Sequence, residues 1–272
     1  MIQIHIKEKS IKDNIILKDI NFEINKGEII GLVGENGAGK SSTMKSITGL
    51  TKNFIGSVTY NEKTVNENLI FSSFIEYPKF IESLTGQENI NYFLTLANRK
   101  IPINLENLIA SWGLSKHLNK KVKNYSLGTK QKLGLIITML FDRPFYIFDE
   151  PTNGIDDDSR RSFFSYLKLL KSENKGILIS SHNLNDINEI CDRIVKVNNG
   201  TIENSNYTFK KFISMSIPNV DKNFIAQYFN IIRSEGDILI VEYKEDFITK
   251  LNIINTKYKN INLISINNFY ND

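Results

Sequence analysis

The eight residues Gly34-Glu35-Asn36-Gly37-Ala38-Gly39-Lys40-Ser41 constrain this chain more than any other stretch. They fit the form G-x-x-x-x-G-K-S and follow Ile29-Ile30-Gly31-Leu32-Val33, a continuous apolar run of the kind that forms a buried strand. Glycines let the backbone curl so that successive N–H groups point into one concavity, and a helix opening at Lys40 adds the positive end of its dipole. The expected product is a nest for a triphosphate. Lys40 would reach the β- and γ-phosphates, the Ser41 hydroxyl would ligate Mg2+, and Ser42 would stand beside it in the first helical turn. The competing reading is a chance Gly-rich turn. Against it stand the strand before, the amphipathic run from Met44 to Leu50 after, and Gly49 as a helix C-cap.

A chain of 272 residues allows one large domain or two modest ones, and 41% apolar residues suffice for a core. The one cysteine, Cys191, excludes an internal disulfide, and in Ile187-x-x-Ile190-Cys191 it reads as a core residue. The most apolar run, Leu133 to Phe141, falls short of the ~20 residues of a membrane helix, and Met1-Ile2-Gln3-Ile4-His5 lacks a signal-peptide layout. A cytoplasmic protein is expected. The net charge of +4 is dispersed, with no basic block flanked by aromatics, so no nucleic-acid surface is expected.

Ile2, Ile4 and Ile6 alternate with polar residues as a half-buried strand does, and Asn25-Lys26-Gly27 offers a turn into the strand before the loop. From Glu82 to Leu140 the pattern turns helical, as in Ile90, Phe93, Leu94 and Ala97, with breaks near Pro102 and Gly113. This predicts an inserted helical subdomain over about 82–140. Strand-like runs return at Phe145-Tyr146-Ile147-Phe148 and Ile177-Leu178-Ile179, each followed by a helical stretch, the βαβ rhythm of a parallel sheet. Asn198-Asn199-Gly200 predicts a hairpin turn. Motifs stop near Asn204. The expected domains are 1–203 and a C-terminal extension, 204–272, with helices near 224–231 and 247–254 and a strand over 238–241.

Two carboxylates end the strand run in Phe148-Asp149-Glu150, a Walker B arrangement. Asp149 would hold Mg2+ through its water shell, and Glu150 would act as general base on an attacking water. The bland alternative is a solvated acidic turn before Pro151. His182 follows a further strand at Ser180-Ser181-His182, where open α/β sheets bind ligands at strand carboxyl ends, and suits contact with a γ-phosphate. His5 and His117 read as structural.

These pieces are similar to one family. Tyr125-Ser126-Leu127-Gly128-Thr129-Lys130-Gln131-Lys132, about twenty residues before Walker B, resembles the signature of ATP-binding cassette (ABC) proteins, and Asp149-Glu150-Pro151-Thr152-Asn153-Gly154-Ile155-Asp156 resembles their Walker B plus D-loop. His182 resembles their switch histidine. The resemblance covers roughly residues 1–203 and implies an α/β P-loop NTPase of ABC nucleotide-binding-domain type, with an antiparallel β subdomain, the helical insertion and a small C-terminal α/β extension. It implies ATP and Mg2+ as ligands and catalytic roles for Lys40, Glu150, His182 and Asp156. It further implies a head-to-tail ATP sandwich, as a homodimer or an ABC hetero-pair. In that sandwich Ser126 and Gly128, at a helix N-terminus, would donate to the γ-phosphate held by the partner's loop.

Three positions depart from the family's pattern. Ile11 stands, by register with Leu17-Lys18-Asp19-Ile20, where an aromatic residue usually stacks on adenine. Leu127 replaces a common second glycine, and Glu76, in Ile75-Glu76-Tyr77-Pro78, stands where the Q-loop glutamine is expected as a ligand toward Mg2+. The Glu76 segment with Leu84-Thr85-Gly86 resembles the bacterial subgroup that includes bacitracin-resistance and lantibiotic-immunity ATPases, whose transmembrane permeases are separate chains. The expected function is therefore the ATPase subunit of an exporter for a peptide antibiotic, peripheral at the inner face of the cell membrane. The alternative is a non-transport ABC ATPase of DNA maintenance or translation. The long coiled coils of the first kind and the paired cassettes of the second are absent from the sequence.

Overall fold

The computed structural model describes residues 1–61, 63–64, 70–76, 79–97, 105–208, 210–244, 246–258 and 260–269. Tyr77, Pro78 and Pro102, used above, lie outside these. The chain divides into two compact units, Met1–Asn206 and Tyr207–Asp272. The strand Thr201–Thr208 spans both this division and Glu203, where the first domain is expected to end.

The first unit opens with β1 (Ile2–Ile11) and β2 (Asn14–Ile24), an antiparallel hairpin in which Ile2, Ile4 and Ile6 face inward. With β4 (Ile55–Tyr60) and β5 (Lys63–Thr64) they form a sheet in the order β2-β1-β4-β5. The second sheet has the order β10-β9-β3-β8-β7-β6, from β3 (Ile29–Val33), β6 (Phe71–Phe74), β7 (Phe145–Phe148), β8 (Gly176–Ser180), β9 (Arg193–Asn198) and β10 (Thr201–Thr208). Strands β9, β3, β8, β7 and β6 pair in parallel. Every residue of β3, β7 and β8 is buried, as expected of strands covered on both faces. Asn199 and Gly200 connect β9 to β10 with φ of 44° and 76°, the left-handed pair that a two-residue hairpin turn requires.

Helix α1 (Lys40–Ile47) follows β3, and it ends at Gly49, φ 70°. The helical insertion contains α2 (Gly86–Leu96), opened by the Thr85/Glu88 capping box, then α3 (Leu105–Ser111) and α4 (Leu127–Leu140). Residues 133–140 of α4 are buried on all sides, which makes the most apolar run of the chain a core helix. Helices α5 (Asp157–Ser172) and α6 (Leu184–Ile190) connect β7 to β8 and β8 to β9.

The second unit runs β11 (Lys210–Ser216), α7 (Lys222–Ala226), β12 (Ile231–Glu235), β13 (Ile238–Glu242), α8 (Phe247–Asn255) and β14 (Asn262–Phe269). Its sheet order, β12-β13-β11-β14, with this βαββαβ succession, is the ferredoxin-like arrangement. Ile213, Met215, Leu239, Val241, Ile225, Phe247 and Ile254 make its own core. The helix expected near 224–231 stops at Ala226 instead. Asp221 caps its start, and Ile231 is taken by the β12–β13 pairing, where it faces Val241.

Candidate functional site

Because β8 lies between β3 and β7 and all three run in parallel, their carboxyl ends share one edge of the sheet. That edge carries the loop 34–41, Asp149-Glu150 and Ser180-Ser181-His182. Glu35, Asn36 and Gly37 are exposed at the lip of the loop, whereas Ala38, Gly39 and Lys40 are buried beneath it. Gly34 has no room for a side chain, since a Cβ there would meet the Val197 carbonyl oxygen at 2.2 Å. Gly39 caps α1 at φ 111° with no side-chain cap, and the first turn of α1 has no acidic residue, so the positive helix end is open to an anion. The Lys40 Nζ donates to the carbonyls of Gly34 (2.7 Å) and Glu35 (3.1 Å) and so lies within the loop. From outside, Gly200 braces the loop: its N–H donates to Ala38 O at 2.9 Å, and its carbonyl accepts from Lys18 N at 2.7 Å.

The β7–β8 register pairs Phe148 with Ile179, so Asp149 and Ser180 are the next residues on each strand. There the buried Ser180 hydroxyl donates to Asp149 Oδ1 (2.6 Å) and accepts from Glu150 N–H (2.8 Å). Glu150 has a left-handed backbone, φ 46°, and its Oε2 lies 2.8 Å from His182 Nδ1. Gln131 Nε2 donates to the carbonyls of Glu150 (3.4 Å) and Pro151 (3.3 Å).

Ser126 caps α4 and accepts from Thr129 N–H at 3.3 Å. Gly128 packs so closely on Gly154 that a Cβ would stand 2.4 Å from the Gly154 carbonyl oxygen. Asp156 caps α5, with Oδ1 accepting from Ser159 N–H at 2.9 Å, and its other oxygen pairs with Lys132. The Lys132 ammonium, then the Ser159 N–H, hold the Asp156 carboxyl well below the usual carboxylate range. Lys132 also donates to Trp112 O at 3.1 Å.

Ile11, expected over adenine, is 53% exposed and pairs with Asn14 at the end of the β1–β2 hairpin. Glu76, expected toward Mg2+, pairs with Lys45 in the last turn of α1 and lies at the rim of a cleft of about 470 Å³. Leu50, Phe74, Phe93, Ile137 and Phe141 contribute the apolar part of that cleft. Sequence reasoning passed over Ser180, Gln131, Lys132 and Lys45. For Ser180 a signal was present: it is a polar residue ending the otherwise apolar run Ile177-Leu178-Ile179.

A sequence profile of the ABC transporter family matches residues 17–153. The protein YdbJ of Bacillus subtilis (strain 168), an uncharacterized ABC transporter ATP-binding protein, is 31% identical over 264 residues, covering 92% of this chain and 86% of the relative. The chain belongs to the ABC transporter family, as an ATP-binding subunit. Within the family it is similar to the lantibiotic transport ATP-binding protein SrtF of Streptococcus pyogenes, with 33% identity covering 74% of this chain and 89% of SrtF. The bacitracin transport ATP-binding protein BcrA of Enterococcus faecalis is 35% identical, covering 71% of this chain and 64% of BcrA. A solved ATP-binding subunit of an ABC transporter shares 27% identity at a TM-score of 0.69, over 75% of this chain and 89% of that one. The dimeric ABC cassette MJ0796 shares the fold, at 22% identity and TM-score 0.68 over 76% and 98% of the two chains. This ABC protein is an ATPase with no helix, among its described residues, long and apolar enough to cross a membrane.

The donor set fits a Mg2+-nucleotide. Among the described residues no cluster of three or more His, Cys, Asp or Glu side chains could hold a metal alone. A hard cation held by one carboxylate, one hydroxyl and phosphate oxygens is the arrangement Mg2+ prefers, and Asp149 and Ser41 lie on the edge that carries the loop.

Proposed function

We propose that this chain is the ATP-hydrolysing subunit of a bacterial ABC exporter that removes a lantibiotic- or bacitracin-like peptide and so protects the cell. The observation that carries the catalytic part is the convergence of the loop 34–41, Asp149, Glu150 and His182 on one sheet edge, with Glu150 and His182 in hydrogen-bond contact. Backbone N–H groups of the loop, together with Lys40, Ser41 and Ser42, bind the β- and γ-phosphates. Ser41, and Asp149 through water, would hold Mg2+, which when bound would supply neutralisation of charge on the transferring phosphoryl group. Glu150 accepts a proton from the attacking water while the water oxygen bonds to the γ-phosphorus. The bond from that phosphorus to the β–γ bridging oxygen breaks, and ADP leaves. His182, bonded to Glu150, fixes the direction of that carboxylate and contacts the γ-phosphate.

The active unit is a pair of cassettes, as a homodimer or with a related ABC chain. Ser126 and Gly128 of each chain close on the nucleotide of the other, and Asp156 holds the turn between them in register. Ile11 sits at the adenine side, where an aliphatic contact discriminates bases weakly. A separate transmembrane permease docks at the cleft rimmed by Glu76, which places the subunit at the cytoplasmic face of the membrane. The Glu76–Lys45 pair ties that rim to the P-loop helix, which supports a path from nucleotide to permease. The likeness to SrtF and BcrA supports the substrate class.

Glu150→Gln tests the reading. The amide keeps shape and loses the base, so ATP still binds while kcat falls roughly 10²–10⁴-fold. An ATP-dependent dimer accumulates on size exclusion. A wild-type rate in this variant contradicts the base assignment, and a monomer at saturating ATP contradicts the sandwich.

A further inference from the structure

We propose that Ser180 is a positioning residue for ATP hydrolysis, one hydroxyl that locks the metal-side and base-side carboxylate residues together. The inference rests on the reading of Asp149 and Glu150 given above. Ser180 is fully buried, and its hydroxyl has one proton to give and lone pairs to receive. The Glu150 N–H can only donate, so Ser180 Oγ accepts there, at 2.8 Å. The hydroxyl proton is then committed to Asp149 Oδ1, at 2.6 Å. The direction of every bond in this set follows from the groups themselves.

Two consequences follow for the site. Asp149 has one oxygen occupied inside the protein, which would leave the other to face the water shell of a bound cation. Glu150 keeps a left-handed backbone, φ 46°, that a side chain with a Cβ adopts rarely, and the bond from its N–H to Ser180 secures that turn. The same strand end then delivers His182 to the Glu150 carboxylate, where His182 N–H also approaches Oε2 at 3.4 Å. Strand β8 thus holds Glu150 at both backbone and side chain, and Ser180 is the member that also touches Asp149. In a dry position a hydrogen bond to an ionised carboxylate is stronger than its surface equivalent, so its loss is felt in orientation.

The test compares Ser180→Ala, Ser180→Cys and Ser180→Thr in the full chain with Glu150→Gln as reference. Three readouts are used: steady-state ATPase kinetics, Mn2+ titration of the ADP complex by electron paramagnetic resonance, and thermal unfolding. In Ser180→Ala, kcat falls roughly ten- to hundredfold, the scale of one hydrogen bond to a charged group, while KM for ATP stays within about threefold. Mn2+ affinity weakens by about three- to tenfold in the same variant, because Asp149 loses its fixed orientation. Ser180→Thr keeps the hydroxyl and restores both, and Ser180→Cys, which keeps the volume with a weaker donor, falls between at native stability. If Ser180→Ala does not fold, the Cys and Thr pair decides: equal kcat and Mn2+ affinity in both overturns the role. Wild-type kcat and Mn2+ affinity in a folded Ser180→Ala, or losses that only track the unfolded fraction, likewise overturn it. When Glu150→Gln is slow, those results remove the Ser180 role alone, whereas a wild-type rate in Glu150→Gln removes the base assignment beneath it.

Discussion

Glu150 carries a backbone conformation that costs an L-residue about 1–2 kcal/mol, and it persists because neighbouring groups over-determine it. Its N–H, carbonyl and carboxylate are each engaged, by Ser180, Gln131 and His182 respectively. Asp156 shows the complementary case of a side chain fixed from two sides, by Lys132 and by the Ser159 N–H. Its depressed folded-state pKa means that its contribution to stability is present above the unfolded-state value, near 4, and is lost as pH falls through the folded value. The side chain is 58% exposed, so solvent screening leaves the ion pair little weight, and the helix cap supplies most of the effect, about 1 kcal/mol. Asp156→Ala should therefore lower the thermal midpoint at pH 7 by about 2–4 °C. The gap to the wild type should narrow below about pH 4. A gap that stays constant from neutral to acid pH in thermal unfolding would sink this account.

At the scale of elements, α4 and the turn after β7 are fastened together at several points along α4. Gly128 lies against Gly154, Gln131 donates to the carbonyls of Glu150 and Pro151, and Lys132 joins Asp156 to Trp112 O. The helix that opens with Ser126 and the turn that follows Glu150 are thus joined by a close backbone approach, side-chain hydrogen bonds and an ion pair, which on the function proposed above would couple signature and hydrolytic site inside each chain. Gly128→Ala would force a methyl to 2.4 Å from the Gly154 carbonyl oxygen, and the backbone of one segment must shift. Overpacking of this kind costs roughly 1–3 kcal/mol. Hydrolysis should fall further than monomeric ATP affinity if, as proposed above, the displaced turn serves a closed pair of chains. Equal kcat in Gly128→Ala and wild type, at saturating ATP, would separate the two segments functionally.

For the whole molecule, each of the two compact units has a buried apolar cluster of its own, which implies two folding units. The sheet, helices and apolar cluster of the second unit are its own, and the loop 34–41, Asp149, Glu150 and His182 all belong to the first. A chain ending after Thr208, which keeps β10 whole, should fold cooperatively and bind a fluorescent ATP analogue as the full chain does. Aggregation of that fragment, or loss of its nucleotide binding, would show that the extension completes the first core. What the sequence determined is local or rests on short-range pattern. The loop 34–41 between a strand and a helix, the buried runs of β7 and β8, and the Asn199-Gly200 turn each follow from steric and burial rules acting within about ten residues. The tertiary structure alone decided which distant groups meet. Parallel register set Asp149 beside Ser180, 31 positions away, and packing of α4 on the turn after β7 set Gly128 against Gly154. It also paired Lys45 with Glu76 and ordered the C-terminal strands β14-β11-β13-β12. A single hydroxyl, glycine or lysine gives no periodic signal, and strand order depends on the burial of all faces at once, so these contacts exist only after the chain has closed on itself.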